Sequence, residues 1–589
     1  MLSLKSMTQV DTELKKIRHS LAHLLAIAVL NHDPNAKLGI GPVIENGFYY
    51  DFLLSKPITN EDLADLEKKM KKNILSGLSF TGETLKPLLA RERFENQPFK
   101  LELIDEFVSE GKEITAYTSG SFTDLCAGPH VENTKEIDPE AFILTTVAGA
   151  YWKGSEKKAM LTRIYGVAFA SKDKLENYMK MLEEAKRRDH RILGKELDLF
   201  TFSPLVGSGL PLWTPKGTII RELLNTFVWE LREKRGYKRV TIPHITKKAL
   251  YETSGHWEKF SAELFRITTR ENDEFALKPM NCPHHTQLFA RHKRSYRELP
   301  VRYAETTMVY RDEQSGELSG LSRVRSITQD DAHVFCRTSQ IKDEVFAIWD
   351  IVDEFYPVFG FATEKIRLSF HDPNAPEKYL GSETTWKIAE DTLRAIAKER
   401  KAVFFEAAGE AALYGPKIDF LTKDALGREW QIATIQLDLN LPERFNLYCV
   451  NEENKEERIV MIHAAIMGSI ERFLVPLIEH LAGSFPLWLS PVQVSILPIT
   501  SAHNAYAKEV SGELLNAGIR AELHDENETL GKKIREVKKQ KTPYYLVIGE
   551  KEMSGHTVTI EHRDGRKNKT IDLKTFIDEM LLEIRDKKK

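Results

Sequence analysis

The sequence predicts a multidomain α+β protein, and three observations carry that expectation. The chain has 589 residues, 42% of them hydrophobic; at ~150 residues per domain this is about four units, each with apolar material for a core. Residues 196–487 mix strand-like and helical patterns without regular strand–helix–strand alternation, which favours an antiparallel sheet. From Val492 the pattern changes to a compact α/β one. Composition excludes other classes. With 29% charged residues and a net charge of −3, the chain is neither a disordered acidic tail nor a uniformly basic nucleic-acid coat. The four cysteines, Cys126, Cys282, Cys336 and Cys449, are too dispersed for a disulfide framework and fit a reducing compartment. Met1 to Lys16 lacks an apolar signal core, and no apolar stretch approaches the ~20 residues that span a bilayer. A soluble, cytoplasmic protein with no membrane partner is expected.

The elements follow in order. Leu14, Ile17, Leu21, Leu24 and Ala28 recur at helical spacing and predict a buried stripe, with His19 and His23 together on the other side, beside Ala22 and Ala26. A mixed α/β region follows, with turn signals at Gly39–Pro42 and Asn46–Gly47; it reaches Cys126–His130 and ends near Tyr165. Ser171 to Gly194 reads as one long charged helix, followed by Pro204, Gly207 and Gly209, the pattern of a connector. Near the end, Val492–Leu497 and Tyr544–Ile548 read as strands, and Tyr506, Val510 and Leu514 as a helix closed by Gly518. Leu573, Phe576, Ile577, Met580, Leu581 and Ile584 form a last amphipathic helix.

Four constellations carry chemistry. His19 and His23 with Cys126 and His130 offer three imidazoles and a thiol, which suits either a Zn²⁺ set or a metal-free hydrolytic pocket. Met280-Asn281-Cys282-Pro283-His284-His285 crowds soft and borderline ligands into a turn. Arg311, Asp312, Glu313, Arg323, Arg325, Gln329, Asp330, Asp331 and His333 then mix arginines suited to phosphate with acids suited to an amine. A solvated, salt-bridged loop is the competing reading, against which Gly316 and Gly320 favour a phosphate-binding loop. Neither a P-loop nor a credible Rossmann glycine pattern is present. Gly468 to Arg472 suits close approach to a base or phosphate. Lys532, Lys533, Arg535, Lys538, Lys539 and Lys541 make a basic helix that suits a polyphosphate or a solvated face.

Arg311-x-Glu313 followed by Gly468-x3-Arg472 resembles the second and third signature motifs of class II aminoacyl-tRNA synthetases, and Gly236-Tyr237 leading to Pro243 resembles the first, which builds a dimer interface. Met280–Pro283, Thr328–His333, Tyr414–Ile418 and Ile462-His463 narrow the resemblance to the threonyl-tRNA synthetase family. His19–His23 and Cys126-x-Gly-Pro-His130 resemble its editing domain and, more distantly, that of alanyl-tRNA synthetase. The resemblance covers nearly the whole chain, apart from a small amino-terminal ubiquitin-like domain for which there is no room before His19.

It implies an α/β editing domain over 1–170, a linker helix over 171–195, a class II antiparallel catalytic domain over 196–487, and an α/β anticodon-binding domain over 488–589. The implied function is that of a threonine–tRNA ligase, its partners being ATP, threonine, tRNA(Thr) and a second copy of the chain, with seryl-tRNA hydrolysed at the amino-terminal site. Zn²⁺ would lie on Cys282, His333 and His463, and Mg²⁺ would come with ATP. Arg311, Glu313, Arg323, Ile327, Gln436 and Arg472 would meet ATP, with Lys417 a further catalytic cation. Met280, Gln329, Asp331, Tyr414 and Gln431 would line the threonine pocket. The editing set is His19, His23, Tyr50, Lys100, Asp124, Cys126 and His130. Ile327 stands where the family usually has phenylalanine, Ser319 and His284 where histidine and glycine are usual. Ala464 replaces an arginine, Ile432-Ala433 a Cys-Gly pair, and Glu526 an arginine. A hydrolase with a disused catalytic domain, or an RNA-binding regulator, would be the rivals; the retained Cys282, His333, His463, Arg311 and Arg472 argue against both.

Overall fold

The computed structural model describes residues 3–587, with side chains from Thr12 onward. They fall into two compact units that divide between Glu184 and Ala185.

In the first unit, helix α1 (Ser3–Leu30) packs on strand β1 (Gly47–Leu53). Helix α2 (Pro98–Ser109), opened by a proline that needs no amide partner in the first turn, brings Lys100 inward. Strands β2 (Thr115–Ser119) and β3 (Phe122–Leu125) form an antiparallel hairpin against Phe80–Thr84. Strands β4 (Phe142–Tyr151) and β5 (Met160–Ala168) complete an antiparallel sheet in which β5 lies between β1 and β4. The stripe expected on α1 holds at Leu21, Leu24 and Ala28, but Ala22, His23 and Ala26 on the other side are buried too. His23 therefore faces an interior, whereas His19 stays partly exposed.

Helix α3 (Lys172–Arg188) is followed at once by α4 (His190–Glu196), where one continuous helix was expected. The break falls at Asp189, whose carboxylate leaves the helical path to accept the Arg191 N–H at 2.8 Å and cap α4. The segment from Cys282 is also not a turn: it opens helix α5 (Cys282–Ala290), with Pro283 in the first turn.

The second unit is built on an eight-stranded sheet. Its central strands are β6 (Val301–Tyr310), β7 (Ser326–Cys336), β8 (Lys365–Phe370), β9 (Lys417–Lys423), β10 (Glu429–Asp438) and β11 (Val460–Ser469). Their spatial order is β6-β7-β11-β10-β9-β8, all antiparallel, with Lys238–Arg239 and Phe404–Ala408 added parallel at the two edges. One face carries Ala332, Val334, Ile462, Ala464, Ile435, Leu437, Ile418 and Phe420, which join Val345, Ile348 and Val352 in the largest core. Side chains alternate across a strand, so the intervening residues share the other face. Helix α6 (Ile470–His480) leaves β11 through Gly468, whose φ of +71° favours a residue without a Cβ.

The last part has a five-stranded sheet in which β12 (Val494–Pro498) lies between Ala521–Leu523 and β13 (Tyr544–Ile548), all parallel, with two antiparallel strands beyond. The basic helix α7 (Leu530–Lys539) has fewer available cations than its composition suggests. Lys533 is buried, with its ammonium on the His524 and Pro498 carbonyls, Lys532 pairs with Glu528, and Lys541 turns to the Ala482 carbonyl. Arg535, Lys538 and Lys539 stay exposed. Among the described residues no helix is long and apolar enough to cross a membrane.

Candidate active site

Two sites emerge, one in each unit. In the first, α1 supplies His19 and His23, α2 supplies Lys100, β1 supplies Tyr50, β3 supplies Asp124, and the following loop supplies Cys126 and His130. A cavity of about 680 Å³ is lined by His19, His23, Lys100, Asp124 and Cys126, among others. The Cys126 Sγ lies 3.2 Å from both His19 Nε2 and His130 Nε2. His130 Nδ1 meets the Ser20 hydroxyl at 3.1 Å, and that hydroxyl also accepts the Val131 N–H. Below them Lys100 Nζ and Asp124 Oδ1 form a buried ion pair at 2.5 Å, and the Tyr50 hydroxyl donates to Asp124 Oδ2 at 2.5 Å. Burial sets the protonation states: it lowers His19, holds His23 well below its usual range, pushes His130 down to about 2 and the Cys126 thiol up to about 12. The pocket therefore holds neutral imidazoles and a neutral thiol around one compensated charge pair, a set able to accept and return protons.

In the second unit the sheet register assembles the site. Tyr303, His333, His463, Gln436, Lys417 and Ser369 are successive direct neighbours across six strands. The next row on the same face is Glu305, Asp331, Ala465, Thr434, Asp419 and Arg367. Strand neighbours lie ~5 Å apart, so residues from distant parts of the chain become one surface. Helix α5 closes one end with Cys282. The Cys282, His333 and His463 ligand atoms lie within 4.8 Å of one another, all buried.

Two residues outside the expected ligand set hold it in place: Asp438, which no sequence motif included, and His285, which the sequence offered only as part of the 280–285 cluster. The outer nitrogen of His463 meets Asp438 Oδ2 at 2.9 Å, and His333 Nδ1 meets His285 Nδ1 at 2.7 Å. That leaves His463 Nδ1 and His333 Nε2 facing each other at 3.1 Å. Burial keeps the His333 imidazole neutral and raises the Cys282 thiol well above its usual range. Neutral imidazoles are ready ligands, and a nearby dication would reverse the penalty on the thiolate. Two nitrogens and one sulfur, with an outer partner on each imidazole, fit a Zn²⁺ site with room for substrate. Both placements follow from periodicity: Asp438 lies two residues after Gln436 on β10, and His285 three after Cys282 on α5. His256, also unassigned, lies 3.1 Å from Met280 Sδ and 4.0 Å from Cys282 Sγ.

Around this set, Tyr414 stacks on His463 with ring centroids 4.5 Å apart, and its hydroxyl donates to Gln436 Oε1 at 2.6 Å. Asn281 donates to Asp331 at 3.0 Å. Asp419 is a hub: it accepts from Ser369, Gln431, Thr434 and Arg367 at 2.7–3.0 Å and lies 3.5 Å from Lys417 Nζ. Beside them a cavity of about 730 Å³ is lined by Arg311, Glu313, Arg323, Ile327, Gln329, Gln431 and Arg472, among others. Gln436, expected with that group, stands instead in the row with His463 and beside Tyr414, because strand alternation and register put it there. Arg323 pairs with both Glu313 and Glu317 at 2.7 and 2.8 Å. The Arg311 Nε is buried with no partner among the described residues. Ser469 caps α6 by accepting the Arg472 N–H, which leaves the Arg472 side chain exposed beside the cavity.

Comparison with known proteins gives three family matches: "tRNA synthetase class II core domain (G, H, P, S and T)" over residues 265–481, "Anticodon binding domain" over 493–583, and "Threonyl and Alanyl tRNA synthetase second additional domain" over 114–165. The chain is 47% identical over 579 residues to the threonine–tRNA ligase of Deinococcus radiodurans, covering 97% of this chain and 89% of the relative. It is 48% identical over 574 residues to that of Gloeobacter violaceus, covering 95% and 91%. A solved structure, the RNA-binding domain of threonyl-tRNA synthetase from Cryptosporidium parvum Iowa II, superposes with a TM-score of 0.64 at 38% identity, covering 67% of this chain and 98% of that one.

Proposed function

The chain belongs to the threonine–tRNA ligases, class II synthetases that join threonine to tRNA and clear mischarged tRNA, and from that premise we propose how its residues divide the work. The observation that carries the proposal is the cross-sheet row from His333 to Lys417, which sets the buried Cys/His group beside the arginine-lined cavity on one face.

In the catalytic unit Arg311 holds the α-phosphate and the substrate carboxylate; its unpartnered Nε is a donor available for that contact. Glu313 reads the adenine amine and Arg323 the distal phosphates, so ATP has to separate the ion pair that joins them. Arg472 stacks on the base, with Ile327 on the cavity wall, and Mg²⁺ enters with ATP. Lys417, kept in place by Asp419, faces the charge that develops at the phosphate. Met280, Gln329, Asp331, Tyr414 and Gln431 line the threonine pocket, and Gln436 joins them through Tyr414. Cys282, His333 and His463 would hold one Zn²⁺, which supplies, when bound, a Lewis acid for an amine and a hydroxyl together.

A site built for a hydroxyl rejects valine strongly, but serine keeps the hydroxyl, and one missing methyl is worth only ~1–3 kcal/mol. The amino-terminal pocket meets that shortfall: His19, His23, Cys126 and His130, backed by Lys100, Asp124 and Tyr50, hydrolyse seryl-tRNA. On this reading 1–170 is the editing domain, 171–195 the linker, 196–487 the catalytic domain and 488–589 the anticodon-binding domain. The acceptor is tRNA(Thr), the setting is the cytoplasm, and two copies pair through the segment from Gly236 to Pro243, where Lys238 and Arg239 form an exposed sheet edge. Threonine-dependent ATP–pyrophosphate exchange tests the proposal. Exchange with threonine, and roughly 10⁴-fold less with valine, is expected; no exchange, or equal exchange with both, contradicts it.

A further inference from the structure

We propose that His190 is a positioning residue for ATP binding, a clasp that fixes the loop carrying Arg311, Glu313 and Arg323 against the helix carrying Arg472. The inference rests on the assignment of the arginine-lined cavity to ATP. Loop 311–325 connects β6 to β7 and is tied at its base, where Arg311 N–H bonds to Arg325 O at 3.0 Å and Arg325 N–H to Gly209 O at 2.8 Å. Its far turn has a different anchor. The Leu321 N–H donates to His190 Nε2 at 3.2 Å, and the Leu321 side chain is fully buried in the core. His190 itself is buried at the start of α4.

The imidazole is held in one tautomer. His190 Nδ1 lies 2.7 Å from Glu479 Oε1, and the same oxygen accepts the His190 N–H at 3.1 Å. An ionised carboxylate only accepts, so Nδ1 carries the proton and Nε2 presents its lone pair to Leu321. Arg428 holds the other Glu479 oxygen at 2.5 Å, which keeps that carboxylate charged and oriented. Glu479 lies on α6, two turns after Arg472, so one side chain joins the two elements that present the nucleotide-binding arginines. Asp189, His190 and Glu479 resemble a metal-ligand group in spacing. Both imidazole nitrogens and both Glu479 oxygens are nevertheless committed to protein partners. The fit at Gly320 is specific to the clasp: its φ is +49°, and a Cβ added there would lie 2.3 Å from His190 Nε2.

Two substitutions separate positioning from scaffolding. His190→Asn keeps a donor toward Glu479 and removes the acceptor for Leu321, whereas His190→Gln places an amide oxygen near the lost Nε2. Loss of one such hydrogen bond predicts a roughly three- to tenfold higher KM for ATP in His190→Asn, with KM for threonine within about twofold of the parent and most of the ATP effect reversed in His190→Gln. Gly320→Ala, which pushes the loop off the imidazole from the other side, should raise KM for ATP in the same selective way. Exchange kinetics and thermal melts on the full-length chain read these out. An unchanged KM for ATP in His190→Asn overturns the proposal. So does an equal rise for ATP and threonine, with a lowered Tm, in both His190 variants. Arg472→Ala is the control for the underlying assignment: if it leaves KM for ATP unchanged, the cavity is not the ATP site. If it raises that KM while His190→Asn does not, the clasp alone is wrong.

Discussion

The two cysteine–histidine groups of this molecule look alike in composition and differ in what surrounds them. In the amino-terminal pocket the imidazoles lean on one another, His19 stacking on His130 at 4.2 Å and His23 lying 4.3 Å from His130. Its buried carboxylate, Asp124, is committed to Lys100 and Tyr50. In the catalytic unit each imidazole has an outer partner, Asp438 for His463 and His285 for His333, and Asp331 adds a second buried carboxylate beside them. A dication in the first pocket would sit near a buried ammonium; in the second it would sit near buried carboxylates. Ligand identity alone does not separate the two sites. The charges around them do, and on the proposed reading they suit proton transfer in one and a metal in the other; outer partners alone do not, since His19 Nδ1 faces the Pro129 carbonyl at 3.3 Å and His130 Nδ1 the Ser20 hydroxyl at 3.1 Å.

The largest effect that would sharpen this contrast is in the first pocket. His19→Ala with His23→Ala should slow seryl-tRNA hydrolysis by ~10²–10⁴, the usual scale for positioned acid–base groups, while threonine charging stays within about twofold. Deacylation at the parent rate would break the assignment. In the second site, Asp438→Asn should weaken metal affinity by ~10–100-fold in a chelator competition, since it loses the carboxylate that orients His463. An unaltered affinity would mean that the outer partner is incidental.

How far the sequence foresaw this depends on the range of the interaction. The helical stripe of α1 is a local pattern, and it was legible at Leu21, Leu24 and Ala28. Asp438 and His285 were within reach of local periodicities, on the same strand face as Gln436 and the same helix face as Cys282. The linker break at Asp189 was not, because the charge pattern runs through it; what docks His190 is Glu479, 289 residues later. The spent lysines of α7 have a similar cause, since Lys533 is claimed by carbonyls on other segments that composition does not reveal. The row from His333 to Lys417 likewise depends on strand pairing across more than 100 residues, which no local spacing encodes.

The smallest effect concerns Ile327, which lines the same cavity as Arg472. An aliphatic side chain covers a ring by burial but lacks the aromatic stacking contribution of ~0.5–1.5 kcal/mol. Ile327→Phe should therefore lower KM for ATP a few-fold in exchange assays and leave KM for threonine unchanged. A higher KM would mean that the larger ring overpacks the wall, at a cost of ~1–3 kcal/mol.

The contrast between the two groups is tested most directly by elemental analysis of the purified chain with Cys282→Ser and Cys126→Ser beside it. The parent should carry about one Zn²⁺ per chain, Cys126→Ser should keep it, and Cys282→Ser should lose most of it. Undiminished zinc in Cys282→Ser, with loss in Cys126→Ser, would place the metal in the amino-terminal pocket and contradict the account.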